Sequence, residues 1–359
     1  MKLPVFTVII DTFNRPALLK QAVNALFRQT YPHLEIILVN NAATPETVEY
    51  LRYVSARDSR VKLVHFTENQ FSWDDPLKLV NCYNAGLEVA TGDYVWYQSD
   101  DDMIADDYAE KMVALFRDNP ECITAAGLPL PIDVNGNVLS DYKTRTKNLR
   151  PRYMKGHLLA LDALRGGRMF SAPGTIFTIK RDVLNKAGGY HPCMEDSHLY
   201  GIAPFGVTGF DETAFFYWRR HEGQLNQILI LNGNVFARYT HSLLRDWHIE
   251  EKWQVFGRYT AREVVSTLWK KALIGPAQWF YINISFFRIQ AAFRIFRTLK
   301  RYPYFWYLLF VLPVRNPSIL TVQPVKRIAR VIARRAVKYF PGLVRLSPRL
   351  ERLSKETSH

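Results

Sequence analysis

"VFTVIIDTFNRPALLKQAVNALFRQTYPHLEIILVNN" runs from Val5 to Asn41. Its first six residues are apolar apart from one threonine, and Asp11 follows Ile10, which reads as a buried strand ending in polar residues. Asn14 can cap a helix and Pro16 suits its first turn. Leu19, Ala22, Val23 and Leu26 then recur at helical spacing. Leu34–Asn41 is a second apolar run. Strand, helix and strand in this order form a βαβ unit, in which the two strands lie parallel.

The same alternation continues downstream. Pro45–Arg57 reads as a helix and Val61–Phe66 as a strand. A helix is expected over Asp75–Ala90, with Leu79, Cys82, Tyr83 and Leu87 on one face, and a strand over Asp93–Gln98. Another helix is expected from near Ala105, with Asp106 and Asp107 in its first turn, and a strand over Cys122–Leu128. Strands and helices at this spacing predict an α/β fold with a mostly parallel, Rossmann-like sheet flanked by helices. The pattern then loosens. Val134–Asn137 suits a hairpin turn, Gly174–Tyr190 a strand, a helix and a glycine turn, and Asp211–His221 a last strand. Beyond about residue 242 the chain reads as helical, basic and aromatic. Two regions are expected: 1–241, and a helical C-terminal region over 242–359.

Charge separates these regions. Residues 1–241 hold 25 Lys+Arg against 27 Asp+Glu, whereas residues 242–359 hold 22 against 6. The net charge of +14 therefore lies entirely in the last third. A near-neutral body joined to a basic tail predicts docking on an anionic surface. Cys82, Cys122 and Cys193 include no CxxC pair, which argues against a disulfide framework or zinc site and fits a reducing cytoplasm. Met1–Pro16 reads as the first strand rather than a signal peptide. The longest apolar runs, Ala272–Phe287 and Tyr302–Val314, have 16 and 13 residues, each with a proline. A membrane-spanning helix needs about 20, so none is expected.

The residues at the expected strand ends are polar: Asp11–Arg15, Asn40–Thr44, Phe66–Asp75 and Gln98–Asp102. Ligands of open α/β sheets bind beyond the carboxyl ends of the strands. No GxGxxG follows the first strand and no GxxxxGK[ST] occurs, so a dinucleotide site or P-loop has no support. Asp100, Asp101 and Asp102 are adjacent. Three carboxylates in one loop ionise together cheaply only around a cation, and Mg²⁺ or Mn²⁺ bridging to a substrate phosphate is the natural one. The alternative is a solvated acidic loop before a helix. Position at a strand end favours the metal.

These segments resemble family 2 glycosyltransferases of the GT-A fold. Phe6–Thr44 is similar to the family's opening strand, Thr-x-Asn-Arg loop, helix and second strand. "NAGLEVATGDYVWYQSDDD" (Asn84–Asp102) resembles its Asn-x-Gly helix, Gly-Asp-Tyr strand and DXD motif. "GGYHPCMEDSHLYG" (Gly188–Gly201) resembles its Gly-Gly turn and Glu-Asp pair, and "YWRRHEGQLN" (Tyr217–Asn226) its aromatic-Arg-x-His ending. By resemblance, Thr12, Phe13, Asn14 and Arg15 would line the base and ribose of a nucleotide-sugar donor. Asn41 stands where the family usually has an Asp that contacts the base, since "VNNAAT" replaces the commoner Val-Asp-Asp-Gly-Ser. An Asn still offers a donor and an acceptor to a base edge. Lys78, Asn81 and Asn84 would approach the donor, although a solvated helix face explains them too. Asp100 and Asp101 align best with DXD, and Asp102 can assist. Arg219, Arg220 and His221 would add positive charge or, for His221, a metal ligand. Asp196 matches the catalytic base and Glu195 is its neighbour, with helix-start acids as the plainer reading.

In the tail, Pro324–Phe340 and Arg288–Arg301 each carry an apolar stripe among basic residues, with Trp and Tyr between them. Basic amphipathic helices with interfacial aromatics suit an anionic leaflet. Packing on the catalytic region or a partner chain is the alternative. No nucleic-acid-binding motif accompanies the charge.

The sequence thus predicts a metal-dependent, inverting hexosyltransferase. It would move a sugar, UDP-linked, to a saccharide or lipid-linked saccharide in a surface glycan such as lipopolysaccharide, O-antigen or capsule. Its expected place is cytoplasmic and peripheral at the inner membrane face, with a homo-oligomer left open. Two rivals stand. A sugar nucleotidyltransferase would need a basic Gly-rich triphosphate loop, which "DTFNRP" is not. A nucleotide-sugar-binding scaffold with a degenerate site is kept open by Asn40 and Asn41.

Overall fold

The computed structural model describes residues 3–72, 76–139, 151–165, 177–221, 235–285, 289–300 and 302–315. Strand β1 is Phe6–Thr12, helix α1 Pro16–Phe27, β2 Leu34–Asn41, α2 Pro45–Arg57 and β3 Val61–Phe66. A 3-10 turn at Pro76–Leu79 leads into α3 (Val80–Val89), then β4 (Tyr94–Ser99), β5 (Met103–Ile104), α4 (Tyr108–Asp118) and β6 (Cys122–Ile132). After β7 (Tyr153–Lys155) and α5 (Gly156–Leu164) come β8 (Phe177–Lys180), α6 (Arg181–Lys186), α7 (Met194–Ser197) and β9 (Val207–Arg219).

Among the described residues the nine strands join one sheet in the order β3-β2-β1-β4-β8-β6-β9-β5, with β7 pairing to β9. The first half, β3 to β4, is parallel throughout. Strand β8 lies antiparallel between β4 and β6, and β9 runs parallel to β6. Strands β1, β2, β3, β4, β6 and β9 therefore all point the same way, and their carboxyl ends share one edge. Register aligns those ends: Thr12 faces Asn40, Asp11 faces Ser99, and Ile132 faces Arg219.

The core is the apolar content of these strands and of the helices on them. Val8, Ile9, Ile36, Leu38 and Trp96 are fully buried, as are Leu19, Ala22, Val23 and Leu26 of α1. That is the stripe the spacing predicts. Gly86 of α3 faces Ile9, whose Cγ2 lies 2.4 Å from where a Cβ would be, so the helix sits close on β1. The cap of α1 differs from expectation. The residue before Pro16 is Arg15, with no side-chain cap bond, and the side chain of Arg15 is engaged elsewhere. The helix expected from Ala105 begins at Tyr108, because Met103 and Ile104 pair with Tyr217 and Phe216 first. The Val134–Asn137 turn forms, with Asp133 Oδ1 accepting the Asn135 and Asn137 N–H groups.

Contacts divide the chain into two compact units, residues 1–221 with 243–264, and residues 222–242 with 265–359. The second unit has its own core, in which Leu273, Ala277, Tyr281, Ile295, Leu299 and Phe305 are buried together. In the helix Ile289–Leu299 the buried face is Ala292, Ile295 and Leu299, whereas Ile289 and Phe293 are exposed. The sequence spacing places Ile289, Ala292, Phe293, Phe296 and Leu299 on one stripe; Ala292 and Leu299 are buried as expected, while Ile295 takes the place of Ile289 and Phe293 in the core. Among the described residues no helix is long and apolar enough to cross a membrane. The expected basic helix Pro324–Phe340 lies outside the described residues.

Candidate functional site

Strand β4 is apolar and buried up to Gln98, and the chain leaves the sheet immediately afterwards, so Asp100, Asp101 and Asp102 land on the shared carboxyl edge. All three are buried, at 8, 6 and 3% exposure. Asp100 Oδ2 accepts the Thr12 hydroxyl at 2.9 Å, and its Oδ1 accepts Arg15 Nη1 at 3.3 Å. Asp101 Oδ2 accepts the same Arg15 nitrogen at 2.5 Å and lies 3.0 Å from His221 Nε2. Asp102 faces elsewhere: its Oδ1 accepts the Arg219 main-chain N–H at 2.9 Å, and its carbonyl accepts the Gln98 amide.

Arg219 explains this split. It is fully buried, and its guanidinium donates to the Asp101, Asp133 and Val134 carbonyls at 2.7–3.0 Å and to Gln21 Oε1 at 2.9 Å. The expected donor contact from Arg219 is therefore not the bond it makes; it ties the acidic loop to β9 and to the turn after β6. Asp102, expected beside the metal, is a second tie to β9. Arg220 is exposed, with its guanidinium 4.7 Å from the Trp218 ring centroid. The site therefore gathers Thr12, Arg15, Asp100, Asp101 and His221.

Asp11 joins them from β1, half-buried against Tyr97, whose hydroxyl donates to it. In the sequence Asp11 stands only among the polar strand-end residues. Its signal was an acid closing an apolar strand just before "TFNR". Burial pushes Asp11 up to about 6, against the Tyr97 bond and Arg15. Burial likewise raises Asp100 to about 7, with Arg15 opposing and the Asp101 and Asp11 charges adding to it. Asp102 is raised by burial and by Asp101. The cluster thus carries more buried carboxylate than Arg15 neutralises.

Among the described residues no group of three or more His, Cys, Asp or Glu side chains forms a ready-made metal cage. Asp101 and His221 nevertheless meet at one point. One carboxylate and one imidazole suit a Mn²⁺ or Mg²⁺ ion that takes its remaining oxygens from a diphosphate and water, the usual way such ions are held. The residues present fit that ion.

At the ends of β2 and β3, amides form a separate network. Asn41 Nδ2 donates to Asn69 Oδ1 at 3.0 Å, and its Oδ1 accepts the Gln70 N–H at 2.7 Å. Gln70 Oε1 in turn accepts the Asn81 amide. Asn40 Oδ1 accepts the Ala43 N–H, closing the turn that holds Ala42 at a φ of 52°. Asn40 thus braces the turn after β2, and Asn41 the loop after β3. Phe13, Asn14 and Lys78 are exposed.

The acidic segment is anchored from α3. Asn84 donates to the Tyr190 carbonyl at 3.1 Å and accepts the Tyr190 N–H at 2.7 Å. Both polar atoms of its side chain thereby serve the turn, instead of reaching for a donor. Gly189, at a φ of 86°, passes so close that a Cβ would lie 2.5 Å from Asn84 Oδ1. The Tyr190 ring packs edge-on to Tyr83 and Tyr97. Glu195 and Asp196 follow on α7, where Asp196 Oδ2 lies 3.5 Å from the Cys193 thiol.

Residues 7–188 match the family model described as Glycosyl transferase family 2. An uncharacterized glycosyltransferase of Haemophilus influenzae is 29% identical over 147 residues, which is 41% of this chain and 56% of that protein. The GalNAc(5)-diNAcBac-PP-undecaprenol beta-1,3-glucosyltransferase of Campylobacter jejuni is 30% identical over 100 residues, 28% of this chain and 30% of that one. The chain thus spans about half or less of the length of these relatives. Among solved structures, S. aureus TarS 1-349 in complex with UDP-GlcNAc is similar with a TM-score of 0.52 at 15% identity, covering 82% of this chain and 89% of that one. That likeness is one of fold. With the family model matched over half its length, the chain belongs to glycosyl transferase family 2.

Proposed function

We propose that the protein is a metal-dependent, inverting glycosyltransferase. It would move a hexose-class sugar from a UDP-linked donor to a saccharide or lipid-linked saccharide in surface-glycan biosynthesis. The observation that carries this reading is the meeting of Thr12, Arg15, Asp100, Asp101 and His221 on one strand edge, in a chain of this family. The UDP-GlcNAc and UDP complexes of the TarS fold support a uridine donor. The polyprenol-linked acceptor in the name of the C. jejuni relative supports a lipid-linked one.

Exposed Phe13 and Asn14 and the braced Asn41–Gln70 loop would receive the base and ribose. Asn81, which donates to Gln70, and exposed Lys78 would approach the donor. Asp101 and His221 would hold the divalent ion, with Asp100 beside them, and the ion would offset the charge of the departing diphosphate. Asp196 would take the proton from the acceptor hydroxyl as it attacks the anomeric carbon, with Glu195 beside it. A positioned base of this kind contributes roughly 10²–10⁴-fold. Asn84, through Tyr190, would hold that base in place. The basic C-terminal third would keep the protein on an anionic membrane face, where lipid-linked acceptors lie.

The test is Asp196→Asn. It should retain UDP binding in the presence of Mn²⁺ and lose transfer by at least about 100-fold. Unchanged turnover would remove Asp196 from this role.

A further inference from the structure

Arg15 stands where the carboxylate cluster needs a cation. A single guanidinium nitrogen, Nη1, reaches Asp100 Oδ1 at 3.3 Å and Asp101 Oδ2 at 2.5 Å. Arg219, the other guanidinium at the loop, is committed to main-chain carbonyls and Gln21. The oxygen that Arg15 grips, Asp101 Oδ2, is also the one beside His221 Nε2. A divalent ion held by Asp101 and His221 would therefore sit against Arg15, and two cations cannot share one carboxylate oxygen without strong repulsion.

The two arginines also differ in freedom. Arg219 is fully buried, whereas the Arg15 side chain is 27% exposed. Arg15 also precedes α1, in a non-helical backbone conformation, so its side chain can turn without disturbing the helix.

We propose that Arg15 is an internal counterion that holds the Asp100–Asp101 pair in the donor-free protein and yields Asp101 to the metal when nucleoside diphosphate arrives, turning its guanidinium to the diphosphate. This rests on the reading of the chain as a metal-dependent transferase. Metal alone must displace a cation and gains nothing for the displaced guanidinium, so it binds weakly. Metal with diphosphate gives that guanidinium an anionic partner, so it binds well. The two ligands are then coupled through one side chain, and the coupling is reciprocal. Arg15 thereby makes donor and metal enter together and disfavours a metal-loaded site without donor.

Mn²⁺ titrations followed by electron paramagnetic resonance test this, on wild type, Arg15→Gln and Arg15→Lys, with and without UDP. Arg15→Gln should bind Mn²⁺ alone about tenfold more tightly than wild type, because the competing state is gone. The gain in Mn²⁺ affinity conferred by UDP should shrink by about the same factor. Arg15→Lys keeps the charge on a more compact head, and its Mn²⁺ affinity should fall between the two. It carries the comparison if the glutamine variant does not fold. If wild type binds Mn²⁺ with UDP and neither variant binds the metal alone more tightly, Arg15 is not a competitor and the proposal fails while the metal reading stands. If no form binds Mn²⁺ even with UDP, the metal reading itself fails and takes the proposal with it.

Discussion

Glu35 shows what a carboxylate does when its positive partners are built in. It lies at the amino-terminal start of β2, away from the carboxyl edge, and is 6% exposed. Lys62 Nζ donates to it at 2.6 Å, as do the Thr7 hydroxyl at 2.6 Å and the Thr91 N–H at 2.9 Å. Burial alone would raise this carboxyl, but these bonds outweigh it and hold it near about 2. A depressed folded value contributes stability that is whole above the unfolded value near 4.5 and is lost as pH falls toward 2. The contribution at neutral pH is on the order of 3 kcal/mol. Denaturant unfolding should find Glu35→Gln less stable by about that amount at pH 7, with the gap more than halved by about pH 3. An equal gap at both pH values would contradict it. Asp11, Asp100 and Asp102 behave oppositely, because burial raises them. The fold supports its distal carboxylate fully and leaves those at the carboxyl edge in need of a cation.

At the scale of elements, the turn between α6 and α7 depends on α3. Asn84 supplies both hydrogen bonds to the Tyr190 backbone, and Gly189 leaves the space for it. Asn84→Ala leaves the Tyr190 N–H and carbonyl without these partners and should cost about 1–3 kcal/mol in denaturant unfolding. If α7 carries the base, kcat should fall while the KM for donor holds; a fall in donor affinity with kcat intact would instead place Asn84 at the donor. Elements made by local pattern were legible in the sequence. The bounds of β2, α2 and β3 match those expected from the sequence residue for residue. Elements made by distant pairing were not. Strand β5 exists because Met103 and Ile104 meet β9 more than 100 residues later. The Val207–Gly209 start of β9 exists by pairing with β7 and β6. Site residues divided the same way. The strand-end position of Asp100–Asp102 was readable, whereas the burial of Arg219 and its role as a tie are consequences of packing that no spacing shows.

At the scale of the molecule, charge is segregated. Residues 316–359 alone hold ten Lys+Arg and two Glu. Cosedimentation of the full chain with vesicles should show binding when phosphatidylglycerol is present and release by about 0.5 M salt, where screening is strong. Equal binding to neutral vesicles, or none to anionic ones, would remove membrane docking from the proposed function. The central claim concerns the other end of this asymmetry, the acidic strand edge. Calorimetric titration of UDP into the full chain, with Mn²⁺ and then with EDTA, tests it most directly, alongside Asp101→Asn. The expected result is binding at least about tenfold tighter with Mn²⁺, a difference that Asp101→Asn abolishes. UDP binding that is the same with Mn²⁺, with EDTA and in Asp101→Asn would contradict a metal-held diphosphate at this site.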